Sequence, residues 1–281
     1  MTLIIGMKCS DGVIVVGDRK VTDPSANEVT FEKKLMFPLP NSPVIVAAAG
    51  FTHLFKEFNR RLPEMVEQRQ MDFYMLNINK LAELGENIED YIQPTKEPET
   101  IQSNDSEIEQ LPKKQESLQQ NKKLPRLPYY YSIETFLIDC KLLIKQICGT
   151  SDLPDPLDVL VAVYSNNGAR LHHIDSEGNE EEVGFCAIGS GTPFINLFKK
   201  NWSSDLSIAE ASKEFCFAIK IIDKLKFDKF VGVEENLLPD MNVIIDDGRF
   251  GIFDLQDEET DDLKKKIKQR VNIMQDATNP I

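Results

Sequence analysis

The sequence lacks a long hydrophobic run and has fewer basic than acidic residues. Of 281 residues, 32 are lysine or arginine and 46 are aspartate or glutamate, so the formal net charge is −14. Nucleic acid binding needs clustered basic side chains, and a strong negative charge opposes anionic membranes, so both partner classes are excluded. No apolar run approaches the roughly 18 residues of a membrane helix, and no signal-peptide pattern opens the chain. We therefore expect a cytoplasmic protein.

Metal-binding patterns are also missing. The three histidines and five cysteines are scattered, without the spacing of a metal site. The cysteines lie mostly in apolar strand or helix patterns, which favours reduced, buried thiols. We expect no metal, no cofactor and no cysteine protease that depends on histidine.

What the sequence does contain is a threonine directly behind the initiator methionine. Thr2 opens a predicted hairpin in which two apolar runs flank the turn dipeptide Asp11-Gly12. If Met1 is removed, Thr2 carries a hydroxyl and a free α-amino group, so it can act as nucleophile and base at once. The amine, whose ordinary pKa is about 7.7 to 8.0, stays neutral more readily beside a second ammonium. A carboxylate is then needed to hold that ammonium.

Suitable charged residues follow. Asp18 closes the second strand of the hairpin, and Lys34 opens the next apolar run after a polar loop. A further apolar strand ends at Gly50, whose backbone N–H can serve as an oxyanion donor. Plain structural interpretations stay open for three of these residues. In them, Thr2 is only a small residue that permits methionine removal, Asp18 lies at a solvated strand end, and the stem of Lys34 packs over an apolar edge.

In this order the residues resemble the β-type subunits of the 20S proteasome, N-terminal nucleophile (Ntn) hydrolases that act as threonine proteases. The resemblance runs without a gap from Thr2 to about Lys34, and it covers most of the chain apart from an insertion and a charged C-terminal segment. It implies that Thr2 is the nucleophile, that Lys34 supported by Asp18 tunes its amine, and that Gly50 donates to the oxyanion.

Two later elements extend the resemblance. Residues 187–191 match the family's Gly-Ser-Gly turn, which implies that Ser190 lies close to the nucleophile. The Asp-x-x-Ser-Gly element falls on residues 228–232, where Asp228 matches but Val231 replaces the serine. Alternatively, the first element is only a strand-to-helix turn capped by Thr192, and Asp228 is a surface charge. The alignment also implies that the pocket for the side chain before the cleaved bond is lined by Val21, Ala48 and Thr52.

Hydrophobic periodicity predicts one α+β domain over residues 1–281. Strands, a helix pair, strands, a helix pair and strands follow one another, which indicates two stacked antiparallel sheets covered by helices on both outer faces. This four-layer αββα sandwich is also the Ntn-hydrolase fold that the resemblance implies. The predicted strands span 3–8, 13–18, 35–37, 44–49, 157–164, 169–174, 184–188, 241–246 and 250–255; the predicted helices span about 54–66 and 132–147, begin at 192, and run from 207 to 225.

Two segments depart from this pattern. From about 93 to 128 the chain is mostly proline, glutamate, glutamine, lysine, serine and asparagine, which predicts a disordered insertion. We favour a tolerated surface linker over a loop that alters docking between rings. The charged segment at about 257–281 is either a solvated helix or a tail that reaches a neighbouring subunit.

The resulting hypothesis is a threonine endopeptidase that cleaves peptides or unfolded proteins. Cleavage would take place inside a homo-oligomeric or hetero-oligomeric ring, and the resemblance implies proteasome α-type subunits as further partners. Two alternatives stay open. Val231 and the insertion favour a non-catalytic assembly subunit, and the same nucleophile also suits an Ntn amidase acting on a small molecule.

Overall fold

The structure is a computed structural model, and it describes residues 2–23, 28–31, 34–39, 43–84, 99–102, 132–149, 157–165, 168–199, 202–234 and 237–278. The strands are β1 (Ile4–Cys9), β2 (Gly12–Gly17), β3 (Lys20–Asp23), β4 (Glu28–Phe31), β5 (Leu35–Met36), β6 (Val44–Gly50), β7 (Glu99–Gln102), β8 (Leu157–Ser165), β9 (Gly168–Ile174), β10 (Glu180–Glu182), β11 (Phe185–Ile188), β12 (Asp240–Ile245) and β13 (Phe250–Asp254). The helices are α1 (Thr52–Leu84), α2 (Ile133–Cys148), α3 (Thr192–Ile195), α4 (Ile208–Lys224) and α5 (Asp257–Thr278).

The strands form two large sheets and one small hairpin. The first sheet has the order β11-β1-β2-β12-β13-β7 and the second has the order β10-β9-β8-β6-β5, whereas β3, among the described strands, pairs with β4 alone. Among the described strands every pairing is antiparallel except that of β13 with β7, which is parallel. The predicted antiparallel sheets are therefore confirmed, with one parallel strand added at an edge.

Three buried apolar clusters separate the layers. Along β6, Ile45 and Ala47 face the other sheet and pack with Ile4, whereas Val44 and Val46 face α1 and α2. This division follows from the strand period of two residues, which sends neighbouring side chains to opposite faces. A third cluster lies between the first sheet and the helices α4 and α5. Two sheets with helices on both outer faces give the predicted four-layer sandwich.

Local sequence signals explain where two of the helices begin. Ser132 accepts a hydrogen bond from the backbone of Thr135 at the start of α2. Ser207 and Glu210 form a reciprocal capping box at the start of α4, as the spacing predicts. By contrast, α3 begins at Thr192 with Gly191 at the capping position, so the alternative of a Thr192 cap is wrong.

Four differences from the sequence-based expectation have a clear physical reason. A polar loop was expected between Asp18 and Lys34, but β-branched residues there form the antiparallel strand pair β3 and β4. Helix α1 continues to Leu84, well beyond the predicted end at about residue 66. The prediction stopped early because the apolar periodicity of the sequence fades after that residue. In the insertion, Glu99–Gln102 form β7 against β13 instead of being disordered, since a sheet edge supplies their backbone partners.

The fourth difference concerns the C-terminal segment. It forms α5, which packs Leu263 and Ile267 against α4, so the helical alternative holds for the described residues. The rest of the 93–128 insertion and residues 279–281 lie outside the described residues. None of the described helices combines the length and the apolar character needed to cross a bilayer.

Candidate active site

The candidate site lies where the ends of the two sheets meet. Thr2 lies two residues before β1 and Asp18 directly follows β2, so the antiparallel pairing of these strands brings the two residues together. Lys34 precedes β5 and Gly50 ends β6, its neighbour in the second sheet. Each sheet therefore contributes one half of the site.

The Thr2 hydroxyl lies between an acid and a cation. It donates a hydrogen bond to Asp18 Oδ1 and accepts one from Lys34 Nζ. The Thr2 side chain is almost fully buried, with 4% of its surface exposed. A hydroxyl oxygen in direct contact with an ammonium gains charge stabilisation when it loses its proton, which is the requirement for a nucleophile.

The Lys34 ammonium is held by fixed acceptors. Besides the Thr2 hydroxyl, Nζ lies 2.7 Å from Asp18 Oδ1 and 2.6 Å from the carbonyl oxygen of Lys20. The Lys34 side chain is 2% exposed, so water does not compete for its donors. Lysine has three donors, and these three oxygens match them in number.

Asp18 is the completely buried centre of the site. Its Oδ1 accepts from the Leu3 backbone N–H at 2.9 Å as well as from Thr2 and Lys34, and its Oδ2 accepts from the Gly232 N–H at 3.0 Å. A buried ion pair offsets its desolvation cost only when the remaining lone pairs are satisfied, as they are here. The orientation of the carboxylate is thus fixed by two backbone donors together with Thr2 and Lys34.

Gly189 lies against the first residue of the described chain. A Cβ atom added to it would come within 2.1 Å of the Thr2 carbonyl oxygen, and its φ of +96° lies in the region that favours glycine. Gly191 donates its N–H to the same oxygen at 3.4 Å. The turn that carries Ser190 is therefore next to Thr2, as the resemblance implies.

Ser190 and Asp228 do not hydrogen-bond to Thr2 in the part of the chain that the structure describes. The hydroxyl of Ser190 and the Oδ2 atom of Asp228 are buried and have no hydrogen-bond partner among the described residues. Asp228 Oδ1 accepts from the Phe230 N–H at 2.8 Å. Val231, in the place of the family's serine, is buried and lies close to Gly191 and Leu3.

A small cavity opens beside Thr2. Its walls include Gly50 and two of the three predicted pocket residues, Val21 and Thr52, together with Phe55 of α1. Ala48, the third predicted residue, is fully buried in the cluster under α1 and does not line this cavity. The pocket is thus walled by an aliphatic and an aromatic side chain.

The described cysteines are poorly suited to act as nucleophiles. All five are free thiols. Burial raises the pKa of Cys9 and Cys216 to about 12 and that of Cys186 to about 11, so these thiols stay protonated at neutral pH. In the described residues no group of histidine, cysteine and acidic side chains is arranged to hold a metal ion.

Sequence reasoning missed three contributors to the site. Gly232 and Lys20 act through backbone atoms, an N–H on Asp18 and a carbonyl on Lys34, which residue types do not reveal. Phe55 was placed only in the apolar stripe of its helix. The available signal was its position in the first turn of α1, five residues after Gly50. The first turn of a helix that follows such a strand faces the same end of the sheet.

The comparisons with known proteins agree with this geometry at the level of the fold. Residues 139–233 match the family model described as "Proteasome subunit". Among curated proteins, none matches the chain in sequence. Two solved structures of Anbu from Hyphomicrobium sp. strain MC1 are similar to it, one of them a Gly-1 mutant.

Both structures align over nearly the whole length. The mutant covers 100% of this chain and 99% of its own, the second covers 99% of each, and both have 13% identity and a TM-score of 0.57. At that identity the likeness shows the fold alone. The chain therefore has the fold of these structures, an α+β sandwich of the proteasome-like, Ntn-hydrolase type, and the family model matches about a third of its length.

Proposed function

We propose that the protein is a threonine endopeptidase whose nucleophile is Thr2, exposed as the first residue by removal of Met1. The observation that carries the proposal is the position of the Thr2 hydroxyl, in contact with both members of the buried Asp18–Lys34 pair. A buried ion pair is costly to build, so its placement around one hydroxyl favours a chemical role.

The reaction would proceed through an ester on Thr2. The α-amine takes the hydroxyl proton while Oγ bonds to the substrate carbonyl carbon, and the Gly50 N–H stabilises the oxyanion that forms. The C–N bond then breaks, and the leaving amine receives the proton from the Thr2 amine. Water then attacks the ester carbon while the same amine takes its proton, the bond between this carbon and Oγ breaks, and Oγ receives the proton from the amine, which releases the carboxylic acid product and free Thr2.

The remaining predicted residues would orient that amine. The unpartnered buried atoms of Ser190 and Asp228 are acceptors without a donor among the described residues, and removal of Met1 creates a new donor beside the Gly189 turn. Val21, Thr52 and Phe55 would hold a small or medium apolar side chain before the cleaved bond. Cleavage of unfolded chains also favours enclosure in a ring of like subunits, with α-type rings as candidate partners.

One observation favours a non-catalytic assembly subunit. Val231 supplies no hydroxyl where the family has one, and its side chain packs in the turn next to Leu3. This alternative predicts the same fold without turnover, so activity measurements separate the two.

Removal of Met1 and peptide cleavage are tested on the purified full-length protein. We expect the intact mass and N-terminal sequencing to show Thr2 as the first residue, and fluorogenic peptides to be hydrolysed. Thr2→Ala should reduce turnover by at least about 1,000-fold, because the nucleophile is lost, while Thr2→Ser retains part of it. Thr260→Ala on α5 is the matched control and should have wild-type turnover. Retention of Met1 in the mature protein, or equal turnover by Thr2→Ala, would contradict the proposal.

A further inference from the structure

The segment Val231–Glu234, called here the Gly232 segment, is joined to the candidate site by a set of backbone contacts. The Gly232 N–H donates to Asp18 Oδ2 at 3.0 Å, and its carbonyl accepts from the N–H groups of Arg19 and Lys20, both at 3.0 Å. These bonds tie the segment to the residues that directly follow Asp18. Any shift of Gly232 would change the orientation of the carboxylate.

The far end of the Gly232 segment is held by a second cation. Lys220 of α4 is a buried lysine, and its Nζ lies 3.3 Å from the Glu234 carbonyl oxygen. Glu234 also accepts from Arg19 through its side chain, with 3.3 Å between Nη1 and Oε2. The segment is therefore fixed between α4 on one side and the residues after β2 on the other.

Lys220 is unusual because, among the described residues, it forms no ion pair. Burial lowers its pKa, and the neighbouring charges only partly compensate. On its own helix it is faced by Cys216, Asp223 and Lys224, and from α5 by Lys264. A buried ammonium bonded to a single carbonyl is costly, which calls for a reason beyond packing.

We propose that Lys220 is a positioning residue for the active site: by binding the Glu234 carbonyl it fixes the Gly232 segment, so that the Gly232 N–H holds Asp18 against Lys34 and Thr2. The chain of contacts has four links, from Lys220 to Glu234, along the backbone to Gly232, from Gly232 to Asp18, and from Asp18 to the hydroxyl. Lys220 itself touches no reacting atom. The proposal rests on the proposed function only for its effect on turnover.

Kinetics test the effect on turnover. Lys220→Met should lower kcat by about 10- to 100-fold, because small displacements of a catalytic group are costly, and should leave KM within about twofold. Lys220→Arg should restore most of kcat, since the guanidinium keeps the charge and the donors. Lys224→Met, one turn further along the same helix and exposed, is the matched control with wild-type kinetics. Equal kcat for Lys220→Met and wild type, or no rescue by Lys220→Arg, would overturn the proposal.

A second measurement does not depend on proteolysis. In protein labelled with 15N-glycine, the amide proton of Gly232 should resonate far downfield because it bonds to a carboxylate. We expect it to move upfield in Lys220→Met, also in the Thr2→Ala background, and to stay in place in Lys224→Met. The Gly232 signal is identified by its loss in Gly232→Ala.

If Lys220→Met does not fold, the pH dependence of the Gly232 amide signal tests the positioning role instead. In the wild type it should show an upfield step as Lys220 loses its proton, below the pH at which ordinary lysines titrate, and this step should be missing in Lys220→Arg. An unchanged Gly232 signal in Lys220→Met, or the same titration in wild type and Lys220→Arg, would refute the positioning role. Absence of peptidase activity in the wild type would instead refute the proposed function and leave this measurement valid.

Discussion

Two clusters of acid and base lie at different depths in the sandwich. In the Thr2 cluster (Thr2, Asp18 and Lys34) the ion pair is withdrawn from solvent: the Asp18 side chain is 0% exposed and the Lys34 side chain 2%. The β9 cluster (Asp158, His172, His173, Glu180 and Glu181) lies at the edge of the second sheet. There, His173 Nε2 is 3.2 Å from Asp158 Oδ1, and both side chains are between a fifth and a third exposed.

The difference in depth determines what each cluster can do. In the Thr2 cluster the backbone satisfies the carboxylate from two further sides, so the charges are fixed in position. In the β9 cluster neighbouring histidines have opposite environments: burial lowers the pKa of His172, and the hydrogen bond that His173 donates to Asp158 raises the pKa of His173. The first arrangement suits a site that must not reorganise during a reaction, and the second responds to pH.

The largest effect is expected when the ion pair of the Thr2 cluster is broken. Asp18→Asn leaves the Lys34 ammonium buried without its counter-charge, so we expect a loss of about 3 to 5 kcal/mol in the free energy of unfolding. Urea denaturation measures this, and peptide turnover should fall as well. Asp262→Asn, which removes the acid of an exposed pair with Lys266, is the matched control and should not change stability measurably. If Asp18→Asn lowers the free energy of unfolding by much less than this, water must reach the ion pair of Asp18 and Lys34.

A smaller effect is expected from the turn that supports Thr2. Gly189→Ala places a methyl group against the Thr2 carbonyl and strains a backbone with φ of +96°, so we expect a loss of about 1 to 3 kcal/mol. The same substitution at Gly184, where nothing lies within 4 Å of the added carbon, should be nearly neutral. Thermal denaturation of both variants checks this pair. Equal melting temperatures would show that the Gly189 turn adapts freely.

The fold was predictable where an apolar run or a capping signal marks an element. Continuous apolar runs in β1, β2 and β6 and the capping box of α4 gave these elements within one or two residues. The β3–β4 hairpin was not predictable, because four-residue strands around a polar turn are too short to show a period. The strand β7 was hidden in a segment of low hydrophobicity, since its partner is a sheet edge distant in sequence.

The site was predictable to the extent that it consists of side chains. Asp18 and Lys34 follow from the chemistry that Thr2 requires, and the structure brings all three together. Backbone donors and acceptors such as Gly232 and Lys20 were not predictable, because every residue carries them and only the fold selects which ones point inward. Ala48 was misplaced for a related reason: it lies on a strand that enters the site, but its side chain ends in the core under α1.

The smallest effect is expected in the β9 cluster, where it should depend on pH. Because the folded pKa of His173 is raised above its ordinary value of 6.5, its stabilising contribution is present below about pH 6.5 and is lost as the pH rises through the folded pKa. His173→Gln should therefore lower the free energy of unfolding at about pH 5.5, by less than about 1 kcal/mol, and leave it unchanged at about pH 8. His172→Gln should instead raise the free energy of unfolding at acid pH. Burial lowers the pKa of His172, so the folded state disfavours its charged form, and the substitution removes this penalty. Urea denaturation at both pH values, with the exposed His53→Gln as control, checks the two signs. Equal losses for His173→Gln at both pH values would indicate lost packing and would remove the contrast between the two clusters.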